Sequence, residues 1–170
     1  MMRETKKVWK LFLVWEFEKE EAWLNEMAMN GWVLDKVGFC NYTFVRCEPG
    51  EYIIRMEMRK HDENYMAFLA ETGTEYVGRV TQWHYYRRSA EYGEFDLFSD
   101  IDSKINQLNR IGKMLWLICL ANLIIGLTNT WNTSAHLGWV NLLCATLLCY
   151  ALGRIHGKKE SLEHDRLLHE

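Results

Sequence analysis

The chain has 170 residues, of which 20 are Lys or Arg and 23 are Asp or Glu, so its formal net charge is −3. This balance excludes a strongly basic nucleic-acid-binding protein, and 25% charged with 49% hydrophobic residues is typical of a globular chain. The five cysteines form no Cys-x-x-Cys pair and their number is odd, which disfavours both a zinc site and a disulfide framework. We therefore expect no metal and no cofactor.

The first stretch of the chain predicts a strand, a helix and two further strands. Residues 8–17 have the continuous apolar pattern of a buried strand, and residues 18–31 predict a helix that starts with acidic residues and ends at a glycine. Two strands are predicted near residues 32–37 and 41–47.

The next stretch repeats this order. A strand is predicted over 51–58, a helix over 62–73, and two strands near 75–80 and 83–88. Corresponding residues of the two units lie 42 positions apart, as do Gly31 and Gly73, Phe44 and Tyr86, and Arg46 and Arg88.

The duplication predicts the fold class. We expect an α+β domain over residues 1–98, built from repeats at about 7–47 and 51–88. The two strand–helix–strand–strand units are predicted to form one mostly antiparallel sheet with helices on one face, followed by a two-helix transmembrane hairpin at the C-terminal end.

A change of composition marks the hairpin. Residues 114–153 contain no Asp, Glu, Lys or Arg. Two apolar segments, about 111–131 and 135–153, are each close to the roughly 20 residues needed to cross a bilayer. A connecting helix is predicted over 99–113 and a cytoplasmic tail over 154–170. The alternative is a soluble hairpin buried against the rest of the chain, although such helices usually keep a polar stripe.

The ends of the two segments predict how the hairpin lies in the membrane. Basic residues flank it at both outer ends, whereas the connecting loop contains no Lys or Arg. The positive-inside tendency therefore predicts a multi-pass protein of the cell membrane with both termini in the cytoplasm. The predicted membrane-interface residues are Lys113, Trp131, Trp139 and Arg154.

Four stretches of the chain resemble a bacterial membrane-protein family known as domain of unknown function 2812: FEKEEAWLNEMAMNGW, EPGEYIIRMEM, YMAFLAETGTEYVGRVTQWHYYRR and FSDIDSKI. The resemblance covers roughly residues 7–110, and Thr74 stands where it leads us to expect a tryptophan. It implies an uncharacterised cytoplasmic domain on a membrane anchor, often found beside PadR-like transcription regulators, and it supplies no catalytic residues. The duplicated unit is also similar, at the level of fold only, to the gyrase-inhibitor-like effector-binding fold.

The functional prediction starts from the lack of catalytic motifs. The sequence has no phosphate-binding loop, dinucleotide fingerprint, zinc-protease motif or nucleophile elbow. We predict a non-catalytic, membrane-anchored sensor or protein-interaction module of a bacterial regulatory system. Its expected partners are the lipid bilayer and a protein, for which the resemblance suggests a PadR-like regulatory system, and not nucleic acid. The hairpin could also join copies of the chain into a homo-oligomer.

The alternative is a membrane-tethered effector-binding domain for a small hydrophobic cation. Aromatic walls with a few polar groups suit such a ligand, and Trp15, Glu57, Trp83 and Tyr85 are the residues predicted to line a cleft between the repeats. The same aromatic residues could instead build the core of a small sheet domain, and the sequence does not separate these two interpretations.

Overall fold

The computed structural model describes residues 4–98, 101–131 and 138–169. The chain divides into two compact units, with the boundary between residues 99 and 100. The first unit is the duplicated α+β domain and the second is a helical hairpin.

The first unit has the element order that the duplication predicts. Two 3₁₀ turns, at Val14–Glu16 and Ala90–Tyr92, accompany eight regular elements. These elements are β1 (Thr5–Trp9), α1 (Phe17–Met29), β2 (Trp32–Gly38), β3 (Asn41–Arg46), β4 (Tyr52–Met58), α2 (Glu63–Glu71), β5 (Thr74–Val80) and β6 (Trp83–Ser89). The predicted α+β class and the repeated strand–helix–strand–strand order are confirmed.

The prediction of one combined sheet is wrong in detail, because the strands form two three-stranded antiparallel sheets. Their orders are β1-β3-β2 and β4-β6-β5. A bulge interrupts β2 between Leu34 and Lys36, and the equivalent bulge interrupts β5 between Tyr76 and Gly78. The side chain of Arg87 donates to the Leu34 carbonyl at 3.0 Å, so that acceptor is engaged by a side chain and not by a neighbouring strand.

The helices do not share one face of a sheet as predicted. Successive side chains of β6 point to opposite faces. Tyr85 meets α1, donating a hydrogen bond to Glu20, while Tyr86 packs in a cluster with Leu69 of α2. Thus α1 and α2 lie against opposite faces of the second sheet. The helix α1 also contacts the first sheet, where Trp23 meets Tyr42 and Phe44 edge-on.

The first strand is shorter than the predicted strand over 8–17. Its ladder with β3 ends at the pair Trp9–Asn41, because β3 begins at Asn41 directly after the β2–β3 turn. The chain beyond Trp9 therefore has no partner strand. It leaves the sheet and forms the 3₁₀ turn that precedes α1.

The core of the first unit explains why these elements form. In α1 the buried residues Phe17, Glu20, Leu24 and Ala28 recur at helical spacing, and the helix is followed by Gly31 at a φ of 79°. In α2 the side chain of Asp62 caps the helix by accepting from the Tyr65 amide at 3.1 Å. Each large apolar side chain that becomes fully buried contributes about 1.5–3 kcal/mol.

The second unit consists of two long antiparallel helices, α3 (Ile101–Trp131) and α4 (Gly138–His169). Both continue past the charge-free segment: residues 101–113 of the predicted connecting helix belong to α3, residues 99 and 100 lie outside the described residues, and the described portion of the predicted tail belongs to α4. Far from the connecting loop, Arg166 of α4 donates to Asp102 of α3 at 2.8 Å. Near the loop, a Cβ on Gly126 would lie 2.8 Å from Leu142, so the close approach of the helices there requires glycine.

Candidate functional site

The four residues predicted to line a ligand cleft do not meet on one surface. Trp83 packs on Phe17, with ring centroids 5.4 Å apart, and shares one face of β6 with Tyr85. Glu57 pairs with His84 in the β4–β6 ladder and therefore belongs to the opposite face of that sheet. Trp15 lies half-buried in the 3₁₀ turn before α1. Ligand binding by these residues stays a prediction.

Tyr85 is part of a buried polar cluster that connects the two repeats. The hydroxyls of Tyr42 and Tyr85 both donate to Oε1 of Glu20, each at 2.7 Å. Burial raises the pKa of Glu20, and the two hydrogen bonds oppose that rise. Burial also raises the pKa of each tyrosine, and the nearby carboxyl group of Glu20 adds to the effect, so both hydroxyls stay protonated donors.

Glu20 is not among the site residues predicted from the sequence. A usable signal was present, because Glu20 shares the helical stripe of Phe17, Leu24 and Ala28, where a buried side chain is expected. A carboxylate on such a stripe must find donors from other elements. The cluster can hold α1 in position, and within it we find no nucleophile beside a base.

A second polar cluster lies on the α2 face of the second sheet. The hydroxyl of Tyr65 donates to Glu57 at 3.1 Å, and Arg59 lies 3.7 Å from the same carboxylate oxygen. Burial lowers the pKa of His84, which favours its neutral form. Its ring stacks on His61 with a centroid distance of 6.0 Å, and its buried Nδ1 has no hydrogen-bond partner among the described residues.

These clusters hold no metal site within the described ranges. No group of three or more His, Cys, Asp or Glu side chains there could hold an ion. The carboxylate of Glu20 accepts hydrogen bonds from two tyrosine hydroxyls. The carboxylate of Glu57 accepts one from a tyrosine hydroxyl and lies beside an arginine. The arrangement of both clusters fits the assembly of the domain and does not assign a reaction to it.

The most exposed apolar side chains of the first unit include a group at one end of the first sheet. Trp9 is 77% exposed, Leu11 is 66% exposed and Phe39 is 78% exposed. The amide of Lys10 donates to the Cys40 carbonyl at 3.2 Å, which brings the segment after β1 alongside the β2–β3 turn. We call Trp9, Leu11 and Phe39 the β1 patch.

The β1 patch adjoins a strand whose outer edge is open. In the β1–β3 ladder, the hydrogen bond from Arg46 to the Glu4 carbonyl shows that the even-numbered residues face β3. The backbone groups of Thr5, Lys7 and Trp9 therefore point away from the sheet. Across the described residues, no side chain bonds to these outward groups.

The outer edge of β4, which occupies the same place in the second sheet, is closed. Asn25 of α1 donates to the Ile54 carbonyl and accepts from the Ile54 amide, both at 2.9 Å. Glu21 accepts from the Met56 amide at 2.9 Å. The residue 42 positions after Asn25 is Ala67, which has no side-chain amide, so the duplication does not repeat the cap made by Asn25.

The two helices of the second unit are candidate membrane spans. Both are long and apolar enough to cross a membrane, and in each the most apolar window is only 22% buried. The core helix of a soluble protein would be mostly buried, so these values disfavour the soluble alternative. Sulfur atoms of Cys119 and Cys149 lie 3.5 Å apart, which places the two charge-free segments in direct contact.

The predicted membrane-interface residues stand at the two ends of the charge-free segments. Trp131 ends α3 and is 90% exposed, and Trp139 lies exposed near the start of α4. Lys113 and Arg154 are exposed at the opposite end. At a rise of 1.5 Å per residue, Lys113 and Trp131 are about 27 Å apart along the helix, close to the thickness of a bilayer core.

The chain matches one known protein family. A family model described as "Protein of unknown function (DUF2812)" matches residues 16–120, which extend from the start of α1 into the first charge-free segment. No curated protein and no solved structure matches the chain. Because the family model matches more than half of the 170 residues, the chain belongs to the DUF2812 family.

Proposed function

We propose that the protein is a membrane-anchored protein-interaction module. Its first unit binds an extended segment of a partner protein at the outer edge of β1, and its hairpin holds that unit at the cell membrane. The observation that carries this proposal is the open edge of β1 beside the exposed β1 patch. No catalytic role is proposed.

The open edge supports strand addition. An edge strand offers a row of unpaired backbone donors and acceptors, and folded proteins usually cap or blunt such edges. This domain caps β4 with Asn25 and Glu21 but leaves Thr5, Lys7 and Trp9 with free outward groups in the described structure. An added strand would satisfy those groups, and the β1 patch would supply the side-chain contacts that give specificity.

The charges around β1 favour an acidic partner segment. Lys6, Lys7 and Lys10 lie on or next to this strand. Lys10 sits over the ring of Trp23, with its Nζ 4.3 Å from the ring centroid. A partner segment with alternating apolar and acidic residues would complement both the patch and the lysines.

The orientation in the membrane follows from the flanking charges. Arg110 and Lys113 precede the charge-free part of α3, and Arg154, Lys158 and Lys159 follow that of α4. The positive-inside tendency puts both outer ends in the cytoplasm. The first partner to test is therefore a cytoplasmic regulator of the PadR-like type that the family resemblance suggests.

Binding of that regulator to the detergent-solubilised full chain tests the proposal. Replacing both Trp9 and Phe39 by alanine should weaken binding at least tenfold, because exposed aromatic anchors commonly dominate an interface. Phe68→Ala is the matched control, since Phe68 is an exposed aromatic residue of α2 outside the patch. If the regulator binds the wild type and the double variant equally well, the β1 patch is not the binding surface.

A further inference from the structure

A groove of about 500 Å³ lies on the hairpin between α3 and α4. Its lining includes Gly112, Lys113, Trp116 and Leu117 of α3, and His156 and Lys159 of α4. We call it the border groove, because Lys113 is the last charged residue before the charge-free part of α3. Its volume falls within the range of small-molecule sites in proteins.

The border groove is chemically divided along its length. Lys113, His156 and Lys159 lie on the charged side of the border. Trp116 and Leu117 lie within the charge-free segment, and they are 56% and 62% exposed. A ligand that fits both parts has a negatively charged head and an apolar chain.

We propose that the border groove binds one anionic phospholipid, with its phosphate at Lys113 and Lys159 and an acyl chain along Trp116 and Leu117. The inference rests on the proposed membrane location of the hairpin. In that location the lysines stand at the level of the lipid headgroups on the cytoplasmic side, where anionic lipids are available. Basic pockets between membrane helices on that side are suited to such headgroups.

The existing ion pairs leave the basic side chains available to a phosphate. Lys159 lies 3.5 Å from Glu163 and His156 lies 3.5 Å from Glu160, each one helical turn away on the same helix. Pairs of this kind are weak at an exposed surface. Within the described ranges, Lys113 forms no ion pair, so it can meet a phosphate without giving up a partner.

The floor of the border groove is formed at Gly112. A Cβ on Gly112 would meet no heavy atom within 4 Å, so a side chain added at this lining position starts in open space. Gly157 is equally unobstructed but does not line the groove. Gly112→Leu and Gly157→Leu therefore form a matched pair, of which only the first should block the ligand.

Native mass spectrometry of the full chain in detergent provides the test, with dioleoyl phosphatidylglycerol and dioleoyl phosphatidylcholine as the probes. The wild type should bind one phosphatidylglycerol at least tenfold more tightly than phosphatidylcholine. The variants K113Q/K159Q and Gly112→Leu should lose this preference, and Gly157→Leu should keep it. Equal binding of the two lipids by the wild type would overturn the inference, whatever the variants do.

Carbonate extraction of cell membranes separates failure of this inference from failure of the proposed function. Release of the chain into the soluble fraction would contradict the membrane anchor, and with it the lipid site. Retention in the membrane together with equal binding of the two lipids would leave the anchor in place and overturn only the border groove as an anionic-lipid site.

Discussion

The two outer strands, β1 and β4, occupy equivalent positions in the two duplicated sheets, but their outer edges differ. The edge of β4 is closed by Asn25 and Glu21 of α1, whereas the edge of β1 is open beside the β1 patch. The difference arises from the place of α1, whose side chains reach the outer backbone groups of β4. A duplicated domain can thus cap the edge of one outer strand and leave the edge of its counterpart uncapped within the described residues.

A substitution that loosens α1 should have the largest effect on the free energy of unfolding. Glu20→Ala removes the acceptor of two buried tyrosine hydroxyls, Tyr42 and Tyr85. Each buried donor left without a partner costs about 1–3 kcal/mol, so we expect the free energy of unfolding to fall by roughly 2–6 kcal/mol. Urea unfolding of the full chain in detergent, followed by tyrosine-region circular dichroism, measures this.

A conservative change at Glu20 is the control. Glu20→Gln keeps an oxygen acceptor for both hydroxyls and should lose much less stability. If Glu20→Ala unfolds at the same urea concentration as Glu20→Gln, the two hydroxyls do not hold α1 in place.

Opening the protected edge is the second test. Asn25→Ala removes two hydrogen bonds to Ile54 and should cost about 1–3 kcal/mol. It should also raise self-association of the domain, because β4 would then present a free edge. Asn64→Ala, at an exposed position of α2, is the matched control and should stay within about 0.5 kcal/mol of the wild type. Equal stability of the two variants would contradict the capping role.

The pH dependence of stability gives the third test. Because burial raises the pKa of Glu20 in the folded state, the unfolded chain releases this proton at a lower pH than the folded chain does. The contribution of Glu20 to stability is thus fully present below the ordinary glutamate pKa of about 4.3, and it is lost as pH rises through the folded value.

Glu20→Gln cannot release this proton. The stability of the variant relative to the wild type should therefore increase as pH rises from about 4.3. Unfolding curves of both proteins between pH 4 and pH 8, at roughly one-unit steps, measure the difference. A difference that stays constant over this range would show that Glu20 has no raised pKa.

A substitution at the open edge of β1 should have the smallest effect on the free energy of unfolding. Lys7 has its amide directed outward, so Lys7→Pro should cost no more than about 1 kcal/mol, since edge strands tolerate proline there. The same change should abolish binding of a partner strand, which needs that donor.

Val8→Pro is the matched variant. The amide of Val8 faces Tyr42 in the β1–β3 ladder, so proline there should disrupt the first sheet and cost roughly 3 kcal/mol or more. Full partner binding by Lys7→Pro would argue against strand addition at β1.

The sequence predicted those parts of the molecule that leave a periodic or compositional signal. The 42-residue spacing of Gly31 and Gly73 identified the duplication, and the absence of charge over 114–153 identified the hairpin. The separation into two sheets left no such signal, because it depends on bulges and on the bond from Arg87 to Leu34.

The candidate site was harder to predict for the same physical reason. Trp9 and Leu11 were assigned to a buried strand, since an apolar run looks the same whether its partner strand continues or stops. Whether β3 continues opposite that run depends on where the β2–β3 turn falls. The hydrogen bonds between Asn25 and Ile54 join residues 29 positions apart, so the local sequence pattern cannot predict them.

Amide hydrogen exchange of the free full chain in detergent compares the edges of β1 and β4 residue by residue without a partner. We expect fast exchange at the outward amides of Thr5, Lys7 and Trp9, and slow exchange at the capped amides of Ile54 and Met56. Exchange at Thr5, Lys7 and Trp9 as slow as at Ile54 and Met56 would show that the edge of β1 is covered, and would contradict an open edge at this strand.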